Sequence, residues 1–198
     1  MKRITLLAVL GFCLAVPSLV VAQSEYNHAE VGVFADYFRF STPNPNINFV
    51  GVGGRIAANV RPTIQLEAEM NYDFARNFTT TFNNGATTSF VRTRVRPITG
   101  LFGPKFQVGT GAFRAFLDGK VGFIDYTVTN PKVVSGSVFS NSIAGVGGSG
   151  THLAFFPGAG IEGFWGPFGL RLDAGDEIYL NNGVFNQLRV TFGPEFRF

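Results

Sequence analysis

The chain has 198 residues, 45% of them hydrophobic and 15% charged, with a formal net charge of +3. Its length suits one domain. Its only cysteine is Cys13, so the rest of the chain has no thiol for a disulfide bond or a metal site.

The first 22 residues have the features of a cleaved secretory signal peptide. Two cations precede an apolar run that is too short to span a bilayer, and small residues precede a cleavage point after Ala22. An uncleaved anchor helix or a lipoprotein lipidated at Cys13 fits less well, because Pro17 interrupts the run and a phenylalanine precedes the cysteine. Cleavage removes two of the 16 basic residues and leaves residues 23–198 nearly neutral. We therefore predict one exported domain over residues 23–198 and no nucleic-acid partner.

Beyond residue 22, apolar residues recur at every second position, and no stretch is apolar for the length of a transmembrane helix. In residues 64–73, IQLEAEMNYD, apolar and polar side chains alternate throughout. Because successive side chains of a strand point to opposite faces, this segment is predicted to be a strand between an apolar and a wet environment. The alternation returns in residues 30–40, 49–60, 98–108, 113–123, 152–165, 168–179 and 187–198. Strands of about ten residues can cross a bilayer at a ~45° tilt.

The predicted connections alternate in length along the chain. Tight turns are predicted near residues 61–63, 109–111 and 166–167, and longer loops at 41–48, 74–97, 125–150 and 180–186. Short turns on one rim and long loops on the other are typical of outer-membrane barrels. We therefore predict an all-β protein, an eight-stranded antiparallel up-and-down transmembrane β-barrel in the bacterial outer membrane with long extracellular loops.

Phenylalanine supplies 23 of the 198 residues, and many of them lie near predicted strand ends, as in the aromatic girdles of such barrels. The tripeptide FGP occurs at residues 102–104 and again at 192–194, in the fourth and the last predicted strands. Both prolines take the outward phase, which indicates two related halves. Each proline also removes one donor from the hydrogen-bond ladder.

With LFGPKF in the fourth strand, PGAGIEG in the sixth and LRVTFGPEFRF at the C-terminus, the chain resembles the eight-stranded OmpA/OmpX-like outer-membrane β-barrel family over essentially all of residues 23–198. We expect no periplasmic peptidoglycan-binding domain of the kind that some members carry, so the resemblance does not imply attachment to the cell wall. The resemblance implies that the last strand is the signal read by the barrel-assembly machinery. The matching positions are Phe198, Phe196, Phe192, Val190 and Leu188, whereas Pro194 departs from the usual apolar residue.

Charged residues of both signs share the inward phase of the predicted barrel. The acids are Glu67, Glu69, Asp118, Glu162, Asp173 and Glu195, and the bases are Arg55, Lys105, Arg114, Lys120, Arg171 and Arg189. An eight-stranded barrel is only wide enough for its own side chains, and buried charges need partners. We therefore predict a salt-bridged plug. A small-solute pore is the alternative.

Arg92, Arg94 and Arg96 lie at every second position of VRTRVRP, so in an extended chain they share one face. That face continues the lipid side above the outer hydrocarbon boundary, where guanidinium groups could bind lipopolysaccharide phosphates. The alternatives are an ordinary solvated loop face or a bulge at Pro97 that changes the phase.

No catalytic, metal or cofactor site is predicted. The only histidines are His28 and His152, far apart in the sequence, and no serine accompanies His152 two residues away. We expect a non-enzymatic protein with a structural or surface-interaction role, whose extracellular partner the sequence does not identify. A soluble lipocalin-like carrier of apolar ligands, which would bury Leu66 and Met70, is the remaining alternative.

Overall fold

The computed structural model describes residues 28–40, 47–83, 88–109, 111–129 and 149–198. The predicted signal peptide and much of two predicted loops lie outside these ranges. The described residues form eleven strands: β1 (Ala29–Phe40), β2 (Ile47–Arg61), β3 (Ile64–Asp73), β4 (Arg76–Asn83), β5 (Thr88–Val108), β6 (Phe113–Thr129), β7 (Gly150–Trp165), β8 (Phe168–Asp176), β9 (Ile178–Leu180), β10 (Val184–Phe185) and β11 (Gln187–Arg197).

Eight of these strands close into one antiparallel barrel. Around its wall the order is β1, β2, β3, β5, β6, β7, β8 and β11, and β11 pairs with β1 to complete the circle. The seam continues to the last residue, because the backbone N–H groups of His28 and Ala29 both donate to the carbonyl of Phe198. Closure leaves no wall strand with an unpaired edge, which hydrocarbon would not tolerate. The predicted eight-stranded barrel is confirmed.

The wall is apolar outside and charged inside, the reverse of a soluble protein. Met70 of β3 is 57% exposed, whereas its neighbour Glu69 is 6% exposed. The lipocalin-like alternative is wrong, because Leu66 and Met70 face outward. Among the described residues, none forms a helix with the length and apolar character that crossing a membrane requires.

The two rims differ as the alternating connection lengths predict. The β2–β3, β5–β6 and β7–β8 turns lie at the same rim as Phe198, whose neighbour Arg197 bonds to both residues of the Gly166–Pro167 turn. Gly166 has a φ of 64°, a left-handed conformation that glycine adopts without a steric penalty. At the opposite rim, outward positions become polar at Arg39, Asp125 and Asp176, which marks the outer edge of the apolar belt.

The predicted loop over residues 74–97 is wrong for most of its length. β4 and the first part of β5 form a hairpin that extends the wall beyond the belt, with Arg76 opposite Val95 and Asn83 opposite Thr88. β6 likewise continues to Thr129, six residues past its predicted end. These extensions are rich in threonine and other strand-forming residues. Where their side chains are described, apolar residues such as Val95 and Tyr126 face inward and polar residues face outward, the reverse of the membrane-crossing parts.

Both FGP tripeptides place a glycine where the neighbouring strand approaches closely. A Cβ at Gly103 would lie 2.2 Å from the carbonyl oxygen of Gly119, and a Cβ at Gly193 would lie 2.0 Å from that of Val33. Only glycine allows the neighbouring strand to approach so closely. The prolines that follow face outward, as predicted.

Candidate functional site in the lumen and at the outer rim

The centre of the lumen is organised around Lys120. Its ammonium group lies 2.6 Å from Glu67, 2.9 Å from Glu69 and 2.8 Å from Asp118. Arg171 forms a two-pronged contact with Glu67 and also pairs with Asp173 at 2.9 Å. Shared hydrogen bonds to charged partners can offset the cost of burying these groups.

A second group of charges fills the rim that carries the short turns. Lys105 pairs with Glu162 and lies 3.5 Å from Glu30, which in turn lies 3.4 Å from Arg114. Arg55 donates a 2.8 Å hydrogen bond to the hydroxyl of Thr191. It also lies 3.7 Å from Asp173 and 3.8 Å from Glu195. All twelve charged residues assigned to the inward face are buried.

A third group lies at the outer end of the lumen around Arg189. This guanidinium contacts Asp36 at 3.2 Å, Glu69 at 3.0 Å and Glu177 at 3.4 Å. Thr99 donates a 3.0 Å hydrogen bond to Glu177. Asn71 bridges two further oxygens, one on Asp36 and one, at 3.3 Å, on Asp73. Asp73 itself is within ion-pair distance of no cation in the described part of the chain.

Glu177, between β8 and β9, was not anticipated from the sequence, although it shares the inward phase of Arg171 and Asp173, because the alternation is weak over residues 174–177. Its side chain is fully buried. The backbone N–H of Glu177 donates to the carbonyl of Gln187 and holds this break in place.

Aromatic rings fill the space between the charges, another feature that sequence reasoning missed. Arg171 lies 4.1 Å from the ring centre of Phe116, which also faces Lys105 at 4.7 Å. Arg55 lies 4.4 Å from the ring centre of Phe34. A cation over an aromatic face gains more when it is desolvated. Phe34 and Phe116 therefore belong to the lumen, and their inward phase in the alternation was the signal that could have placed them.

An apolar lid covers the charges at the outer end. The rings of Tyr126 and Tyr179 lie 5.5 Å apart, and Phe185 stacks on Tyr179 at 5.3 Å. His152 contacts both tyrosine rings, at 6.1 and 6.0 Å. Buried residues that complete the lid are Phe38, Phe49, Val95, Leu101, Ile124, Ala154 and Phe156.

Two groups of inward carboxylates have oxygens close enough together to surround a metal ion. One is Glu30, Glu162 and Glu195, and the other is Glu67, Asp118 and Asp173. Protein cations already lie among these oxygens, since Lys105 contacts two members of the first group and Lys120 contacts all three of the second. The arrangement is that of an internal salt-bridge network.

The arginine row lies on the outer part of β5. Val95 between Arg94 and Arg96 is 1% exposed and packs in the lid, so the two arginines face outward. The register from Arg94 to Phe102 is unbroken, which excludes a bulge at Pro97. Arg94 is exposed, whereas the side chain of Arg92 lies outside the described residues.

Arg96 is held across three strands at the rim. Its guanidinium donates to the hydroxyl of Tyr72 at 3.3 Å and to that of Thr127 at 3.4 Å, and it lies 5.3 Å from the ring centre of Tyr72. Its Nε–H has no acceptor among the described residues. These contacts fix the position of the guanidinium group at the rim.

The predicted assembly residues form an outward row along β11. Leu188, Phe192, Phe196 and Phe198 are exposed, and Val190 is half-buried. The Phe196 ring lies 5.2 Å from Phe168 and 6.0 Å from Phe198. Pro194, the one departure from the expected pattern, lies opposite Leu170 on β8.

No protein-family model matches the sequence, and no curated protein sequence matches it either. Solved structures do match. Ail of Yersinia pestis, in complex with the heparin analogue sucrose octasulfate, is 14% identical, with a TM-score of 0.55 over 87% of this chain and 99% of Ail. Neisserial surface protein A is 9% identical, with a TM-score of 0.56 over 86% of this chain and 97% of its own.

The N-terminal β-barrel domain of Pseudomonas aeruginosa OprF is also similar, with 14% identity and a TM-score of 0.50 over 87% of this chain and 100% of that domain. These are low identities, so the likeness concerns the fold. The strand order, the closed seam and the apolar exterior agree with it. The chain has the fold of the small eight-stranded outer-membrane β-barrels.

Proposed function

We propose that this protein is a non-enzymatic outer-membrane barrel, closed to solutes, with a structural or surface-interaction role. The observation that carries the proposal is the combination of an apolar exterior with a lumen filled by paired charges, aromatic rings and a lid. An eight-stranded barrel leaves little room beyond its own side chains.

Membrane fractionation and bilayer recording test this proposal. The protein is expected in the outer-membrane fraction, with a gel mobility that changes on boiling, and to give no steady current in planar bilayers. A porin recorded in the same bilayers serves as the positive control. Recovery in the soluble periplasm would contradict the membrane location, and a steady current from folded protein would support the pore alternative.

The outer rim is proposed to contact lipopolysaccharide. Arg94 and Arg96 share one outward face, and Arg96 is held in place by Tyr72 and Thr127. Changing Arg92, Arg94 and Arg96 together to glutamine should weaken retention of lipopolysaccharide in mild detergent, most clearly at low salt. Arg61→Gln is the matched control, because Arg61 is an exposed arginine near the opposite rim. Equal retention in both variants would leave the row as a solvated face.

The last strand is proposed to be read by the barrel-assembly machinery. Deleting Phe198 would also remove backbone hydrogen bonds at the seam, so Phe198→Ala, which keeps them, is the cleaner test. We expect a large loss of outer-membrane insertion in cells and a small effect on refolding into detergent. Val108→Ala, which shortens another exposed apolar residue near the same rim, is the control. Equal, mild losses in both assays would make Phe198 only a girdle residue.

A further inference from the structure

The lumen holds more buried acids than bases. Among the described residues, ten acidic and six basic side chains are buried. The imbalance is clearest at the outer end, where Arg189 pairs with both Asp36 and Glu177. No cation of the described residues lies within ion-pair distance of Asp73, the third acid of this group. Because buried charges are costly without charges of opposite sign, this end of the lumen needs positive charge that its own side chains do not supply.

Asp36 and Asp73 converge over a single glycine. Gly51 of β2 pairs with Asp36 on one side and with Asp73 on the other. A Cβ at Gly51 would lie 2.6 Å from Oδ1 of Asp73, so a side chain there would displace this carboxylate. The amide nitrogen of Asn71 contacts both acids, with Oδ2 of Asp73 at 3.3 Å. Two carboxylates and one amide therefore share a small space at the outer end of the lumen.

Two oxygens of this group have no hydrogen-bond partner among the residues that the structure describes. They are Oδ1 of Asp73 and Oδ1 of Asn71, and these residues are 1% and 2% exposed. The Asn71 oxygen belongs to the amide that bridges the two acids, so a half-turn of the amide directs it at both carboxylates. Buried polar atoms without partners are rare in native proteins and point to a bound water or ion. A cation would give both oxygens a partner and also balance the charge, whereas a water molecule would leave the charge unbalanced.

The charge and the type of donor indicate which cation fits. Asp36, Asp73 and Glu177 carry three negative charges against the one positive charge of Arg189, and a single divalent ion balances the difference. Carboxylate and amide oxygens are ligands of the hard cations Ca²⁺ and Mg²⁺. Mg²⁺ usually keeps several waters in a strict octahedron, whereas Ca²⁺ accepts irregular sets of oxygens. The apolar lid above this group leaves little room for such waters, which favours Ca²⁺.

We infer that Asp36, Asn71 and Asp73 bind a calcium ion at the outer end of the lumen, with Glu177 close by to balance its charge. Arg189 contacts Oδ1 of Asp36 at 3.2 Å, which leaves Oδ2 of that carboxylate to the ion. The ion would join β1 to β3 across Gly51, beneath the lid. The site depends on the folded barrel and goes beyond the proposed structural or surface-interaction role.

Calcium retention tests the site directly. The chain is refolded into a zwitterionic detergent without lipopolysaccharide, and CaCl₂ is present during refolding because the lid covers the site. Metal content is measured by mass spectrometry after gel filtration. We expect close to one calcium ion per folded chain and a higher melting temperature than in EDTA, with little effect of MgCl₂. Folded protein that retains no calcium and melts at the same temperature in CaCl₂ and EDTA would overturn the inference.

One variant and its control locate the ion. Asp73→Asn keeps the shape of the side chain but removes a ligand charge, so it should abolish calcium retention and the rise in melting temperature. In EDTA the same variant should be more stable than wild type, a reversal that a merely structural role for Asp73 would not produce. Asp125→Asn is the matched control, because Asp125 is an acid on the outward face of the same rim, and it should retain calcium. Calcium retention that survives Asp73→Asn would overturn the site.

These outcomes are distinct from failure of the proposed function. The measurements use folded protein in detergent, and the change of gel mobility on boiling shows that each sample is folded. Recovery of the protein in the soluble periplasm would contradict the membrane location without changing the expected calcium content.

Discussion

The inner and outer parts of the lumen hold their charges in different ways. In the inner part, each of Glu30, Glu67, Asp118, Glu162, Asp173 and Glu195 contacts at least one of five cations. In the outer part, Asp36 and Glu177 share Arg189, which also contacts Glu69, whereas Asp73 contacts no cation among the described residues. The inner part is close to charge balance, whereas the outer part is rich in acid. Removing a charge should therefore be costly in the first region and, at some positions, favourable in the second.

The largest effect is expected at Lys120. Lys120→Met keeps the length of the side chain but leaves Glu67, Glu69 and Asp118 without their shared cation. The free energy of unfolding should fall by about 3–5 kcal/mol, because a buried charge without its partner is strongly destabilising. Urea unfolding in lipid vesicles measures the change. Val121→Leu, an outward neighbour, is the control, and a loss below that range would mean that the network rearranges.

Two neighbouring acids in the outer part should respond with opposite signs. Asp36→Asn weakens an ion pair with Arg189 and should lower the free energy of unfolding by about 3 kcal/mol. Asp73→Asn removes a buried carboxylate that contacts no cation among the described residues, and should raise it by about 1 kcal/mol or more. The same urea titration tests both. Destabilisation by both variants would contradict the contrast between the two regions.

The smallest effect concerns the rings between the inner charges. Phe116→Leu keeps an apolar side chain but removes the aromatic face beneath Arg171 and Lys105. We expect a loss of about 1–2 kcal/mol beyond the change in packing. Phe123→Leu, which faces lipid, is the control for the change in side-chain size. Equal losses in the two variants would assign no role to the cation contacts.

The sequence was sufficient for the parts of the barrel that cross the belt. Alternation in IQLEAEMNYD and LRVTFGPEFRF reported which residues face lipid, because a strand between two environments has one polar and one apolar face. The same reasoning missed β4 and the outer half of β5. In β5 the phase of the alternation is reversed there, because Val95 faces the lumen while Arg94 and Arg96 face outward. This reasoning also missed Phe116 and Phe34 as lumen residues. Both side chains are apolar, and apolar side chains of a membrane barrel are expected to face lipid rather than the charged interior.

The sequence by itself therefore determined the class of fold, the number of wall strands and the direction of most side chains. The tertiary structure alone decided which charges meet. Arg55 reaches Thr191, and Arg189 reaches Asp36, across more than a hundred residues of chain. Such contacts depend on the register and closure of the barrel, so period-two alternation cannot show that Lys120 has several partners and Asp73 has no cation.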